Sequence, residues 1–149
     1  MGVFSEIRQA DIEALFRKRG IDAGQTYVVA RRHNSWWKGL LKLLASNLYY
    51  AMDSAVIRVV AATDQGLFVA NPFFQVSNTQ FENLDDKYIR VVDWQQAKPI
   101  EINRGSRVAT LSWMDGGKKQ TWVVDLANPG IWSFNPANLD RFEKAVRQH

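Results

Sequence analysis

From Ala55 onward the chain abandons helical spacing for short runs of β-branched and aromatic residues separated by tight turns, which constrains the fold more than any other feature. Val56 to Ala62 and Leu67 to Ala70 are separated only by Thr63-Asp64-Gln65-Gly66, too short for a helical crossover and therefore a hairpin. Arg107 to Met114 and Lys118 to Leu126 flank Asp115-Gly116-Gly117, where Asp-Gly supplies the positive φ angles of a tight turn. Tyr88 to Trp94 and Pro99 to Asn103 read as further strands, and Phe73 to Asp86 as a short apolar start followed by a polar loop. Strands joined this way make an antiparallel sheet rather than alternating βαβ units.

Helical patterns frame this region. Ser5 is a candidate N-cap for a first helix with an apolar side of Phe4, Ile7, Ile12, Leu15 and Phe16, ended by Gly20. Thr26 to Arg32 then reads as a strand. Near the other end, Asn135 is expected to cap a last helix with Pro136 at its first position and Leu139, Phe142 and Val146 at helical spacing. At 149 residues, 46% of them hydrophobic, and with no repeat or linker, residues 1–149 read as one domain with a single core.

Between the first strand and the hairpins lies Ser35 to Met52, the most regularly patterned stretch. At about 100° per residue, Trp36, Trp37, Leu40, Leu41, Leu43, Leu44, Leu48, Ala51 and Met52 share half of a helical wheel, opposite Lys38, Lys42, Ser46 and Tyr49. So large an apolar face requires a cover. The expected cover is the protein's own sheet, because any helix docked on a sheet presents such a face. A partner protein or second copy, or an anionic membrane surface, would be read by the same residues. In those cases the interaction surface comprises Arg31, Arg32, Trp36, Trp37, Lys38, Leu41 and Lys42; the net +4 is small and spread along the chain, but this stretch is, with Arg17, Lys18 and Arg19, one of its two clearest basic concentrations.

Catalytic chemistry finds little footing. The only histidines are His33 and His149 and there is no cysteine, so nucleophile–base pairs and thiolate metal sites are not expected. Glu82, Asp85 and Asp86 lie close together, but in a polar stretch beside Lys87 that reads as a solvated loop, without the spacing of a calcium site. No two glycines have phosphate-loop spacing. Trp113 with Lys118 and Lys119, or Trp36 and Trp37 with Arg31 and Arg32, could stack single-stranded nucleic acid, although large aromatics more often fill cores. The expectation is therefore a non-enzyme with no cofactor, no metal and no nucleic-acid partner. The absence of cysteine, of a leader pattern and of any 20-residue apolar span points to a cytoplasmic protein, with or without peripheral attachment to the membrane.

Gly24-Gln25-Thr26-Tyr27-Val28 leading into a first strand, the phrase Val60-Ala61-Ala62-Thr63-Asp64-Gln65-Gly66-Leu67-Phe68-Val69, the Asp115-Gly116 hairpin and the helix from Asn138 to Arg147 together resemble the bacterial pleckstrin-homology-like domains over residues 24–147. The chain departs from that pattern in inserting Ser35 to Met52 and in placing Gly66 where the family often has an arginine. The resemblance implies an α+β fold, a small antiparallel β-barrel or strongly bent sheet capped at one end by the last helix. It leaves function open, because such scaffolds bind lipids, peptides and proteins alike. The reading is a non-catalytic binding or assembly module with a protein partner, the alternative being a peripheral membrane or lipid-head-group binder.

Overall fold

The computed structural model describes residues 9–21, 24–32, 57–70, 84, 86–127 and 133–149. In order they form helix α1 (Gln9–Lys18), strands β1 (Tyr27–Arg32), β2 (Ile57–Ala62) and β3 (Leu67–Ala70), a 3-10 turn (Asp86–Tyr88), β4 (Ile89–Val92), the short helix α2 (Trp94–Ala97), β5 (Glu101–Arg104), β6 (Val108–Asp115), β7 (Lys118–Asp125) and helix α3 (Asn135–Arg147). The strands make one antiparallel seven-stranded sheet in the order β4-β3-β2-β1-β7-β6-β5. Two meanders, β1 to β4 and β5 to β7, are thus joined through the pairing of the first strand with the last.

β1, β2 and β3 are almost continuously apolar because both of their faces are buried. On the outer face Tyr27, Ala61 and Phe68 align in one row and Val29, Val59 and Ala70 in the next. Ile12, Leu15 and Phe16 of α1 pack on these rows, with Phe16 edge-on to Phe68 at 5.1 Å and to Tyr27 at 5.8 Å. On the inner face Val28, Ala30, Val60, Ala62, Leu67 and Val92 share one core with Ala109, Leu111, Trp113, Trp122 and Val124 from β6 and β7. A sheet whose two halves fill the same core from the same face must bend over it. Leu139 and Phe142 of α3 close the fold's end, and Trp94 and Ala97 of α2 complete the inner cluster.

The sheet is nevertheless open: of the two forms that the resemblance implies, a barrel or a bent sheet, the closed barrel does not form. β4 and β5 are its edges, and no ladder joins them. Asp93 explains this departure: its carboxylate accepts from the Gln95 amide at 2.9 Å, caps α2 and turns the chain out of β4. The expected strand to Trp94 therefore stops at Val92. The Trp94 indole N–H instead donates to the Thr63 carbonyl at 2.9 Å, and Arg90 of β4 reaches Asp115 at the β6–β7 turn at 2.6 Å. The Arg90–Asp115 pair thus links β4 to the second meander by side chains, where a barrel would have backbone pairs.

Two further details separate pattern from structure. Asn135 is not the N-cap of α3. It lies within the helix, after Phe134, and its fully buried side chain faces β1. The Val29 N–H donates to Asn135 Oδ1 at 3.0 Å, and Asn135 Nδ2 donates to the carbonyls of Val29 at 3.0 Å and Asp125 at 3.3 Å. β1 pairs with β7 only over Ala30 to Arg32, so this amide satisfies backbone groups at the point where the two strands part. At Gly66, a Cβ would lie 2.3 Å from the Val92 carbonyl oxygen, which leaves no room for the arginine of the resembling family.

Candidate interaction surface

Strand register sorts the connections between two ends of the sheet. Arg31 lies opposite Ile57, Ala70 opposite Ile89 and Asp115 opposite Lys118, so the connection 33–56, the connection 71–88 and the β6–β7 turn leave from the same end. The Thr63–Gly66 turn and the β5–β6 turn lie at the other, where Arg104 at the end of β5 pairs with Asp140 and Glu143 of α3. One end is thus covered by a helix. From the other emerges the sequence stretch with the strongest amphipathic pattern.

Of the residues expected to form an interaction surface, Trp36, Trp37, Lys38, Leu41 and Lys42 lie outside the described residues. Arg31 and Arg32 are placed at the end of β1, where Arg31 pairs in register with Val123 and Arg32 with Trp122. The Arg31 guanidinium donates from Nε and Nη2 to the two oxygens of Asp125, at 2.8 and 3.1 Å. Both side chains are about four-fifths shielded, at 20% and 22% exposure, so this two-point contact is stronger than an exposed ion pair and braces β1 against β7. The sequence offered no signal for that partner, which lies 94 positions away.

Other cations at this end also have partners. Arg58, in β2, lies with its guanidinium 4.6 Å from the centre of the Trp122 ring. Arg90 is paired with Asp115, and Lys119 with Glu101 at 3.3 Å. Arg90 and Lys119 remain more than half exposed, at 63% and 58%, so they can meet an anionic group without unfolding the strands that carry them.

Trp94, Trp113 and Trp122 are all buried, at 7%, 2% and 5% exposure, which leaves no described tryptophan available as a stacking platform for nucleic acid. Of the three neighbouring acids, Asp86 is exposed and paired with Arg19 at 2.5 Å, whereas Glu82 and Asp85 lie outside the described residues. Among the described residues, no three His, Asp or Glu side chains converge on a possible metal position.

Among the described residues, the buried polar group whose acidity is shifted is Tyr27. Its hydroxyl donates to Glu13 Oε2 at 2.6 Å, fastening α1 to β1. Burial pushes the phenol above its ordinary range, and the Glu13 bond adds to that shift. It therefore stays protonated at neutral pH and serves as a donor, not a base. Asn138, also buried, accepts from Arg141 at 2.8 Å through its carbonyl oxygen, while its amide nitrogen has no partner, as does the indole nitrogen of Trp113. Neither polar core residue could be inferred from hydrophobic periodicity.

No protein-family model, curated protein or solved structure matches the chain.

Proposed function

We propose that this protein is a non-catalytic binding or assembly module of pleckstrin-homology-like architecture. Its interaction surface is the connection 33–56 with the strand ends that hold it: Arg31, Arg32, Trp36, Trp37, Lys38, Leu41 and Lys42. The observation that carries this reading is the contrast between the ends of the sheet, one covered by α3 and the other giving rise to the amphipathic connection from neighbouring strands. The architectural part is supported by the bend of the sheet, by its strand order and by a last helix at one end. The partner is a protein, either a second copy or another chain, in the cytoplasm.

A second reading, attachment to an anionic membrane surface, is favoured by the exposed side chains of Arg90 and Lys119 at the end of the sheet where β1 stops and β2 begins, the two strands whose connecting sequence carries Lys38 and Lys42. No helix among the described residues is long and apolar enough to cross a membrane.

Substitution separates the outcomes. Under the proposal, which sets an outside partner in place of the own-sheet cover expected from the sequence pattern, Trp37→Ala and Leu41→Ala weaken self-association or partner binding, read by sedimentation, while leaving the urea midpoint nearly unchanged. Losses of about 2–5 kcal/mol in folding stability with association intact would place these side chains in the protein's own core and overturn the proposed surface. Lys38→Glu combined with Lys42→Glu abolishes binding to phosphatidylserine vesicles only if the membrane reading holds, since each cation near such a surface contributes about 1 kcal/mol.

A further inference from the structure

We draw no further inference here: the strongest candidate, the outer face of β6 and β7 around Ser112, Thr121 and Val123, is a surface for which nothing in the structure shows what covers it.

Discussion

The two meanders of the sheet use the same antiparallel geometry with different sequence grammar. In β1 to β3, Tyr27-Val28-Val29-Ala30, Val59-Val60-Ala61-Ala62 and Leu67-Phe68-Val69-Ala70 are apolar at successive positions, because α1 covers one face and the bent sheet's core the other. In β6 and β7 the inner Ala109, Leu111, Trp113, Trp122 and Val124 alternate with Thr110, Ser112, Thr121 and Val123, and Ser112 and Thr121 place their hydroxyls 3.3 Å apart on the outer face. Continuous apolarity thus marks strands covered on both faces along their length, whereas the β6–β7 hairpin is buried on both faces only at its centre, Leu111 to Trp113 and Trp122 to Val124. That distinction predicts where substitutions will hurt.

The largest effects should come from the aromatic residues at the centre of each core. Phe142→Ala in the inner core and Phe16→Ala in the outer core should each cost about 3–5 kcal/mol, measured by urea denaturation. If Phe16→Ala costs less than 1 kcal/mol, α1 is only laid against the sheet and the claim that β1 to β3 need cover on both faces fails.

Next comes the junction between the halves. Asn135→Ala leaves the buried Val29 N–H and carbonyl without their partner, a loss of about 2–4 kcal/mol. The Val29 amide should exchange with solvent faster in this variant, whereas amides in the centre of the β6–β7 hairpin should remain protected relative to the new global stability. Uniform acceleration scaled only to lost stability would show that the junction has no local role.

A smaller effect, with a pH signature, is expected at Tyr27. Tyr27→Phe removes the hydrogen bond to Glu13 and should cost about 1–2 kcal/mol near neutral pH. Because the folded-state phenol is raised above its ordinary value of 10.0, its contribution is complete below that value and declines as pH rises beyond it. The gap between wild type and Tyr27→Phe should therefore narrow in alkaline solution. A gap constant from neutral pH to pH 11 would contradict the assigned environment.

The smallest effect is expected on the outer face of the second meander, where Thr121→Val removes the hydroxyl facing buried Ser112 and should cost about 0.5–1.5 kcal/mol. A loss as large as that of an inner-face residue would show that this face is as tightly packed as the one covered by α1.

These contrasts also explain what was legible in the sequence. The Thr63–Gly66 turn and the Asp115-Gly116 hairpin were readable because turn chemistry is local: Thr63 Oγ1 accepts from the amides of Gln65 and Gly66, and Gly116 and Gly117 adopt φ angles of 60° and 80°. α2 was not, since Trp94 continues an apolar run and only the Asp93 cap reveals the turn. The role of Asn135 was hidden for a different reason: an asparagine before a proline looks like a cap, and its partner on β1 is 106 positions distant. The charge cluster at Arg31 and Arg32 was visible, but the commitment of Arg31 to Asp125 depends on strand pairing that no local pattern encodes. The remaining five residues of the expected surface lie outside the described residues, so the proposal for them still rests on their spacing.

The Asn135 amide has a consequence for the order in which the chain can assemble. During synthesis β1 leaves the ribosome well before β7 and α3, and until they arrive its second edge has neither a strand nor an amide to complete it. The β1–β2–β3 meander can form early, but with one flank of backbone bare, a template that any extended segment could pair with. Closure of this flank requires a contact spanning most of the chain, the kind that slows folding. The last helix is therefore more than a lid on the core. Its arrival closes the part of the first strand that β7 does not reach, and truncation before Asn135 would leave the Val29 N–H and carbonyl open to pairing with the wrong neighbour.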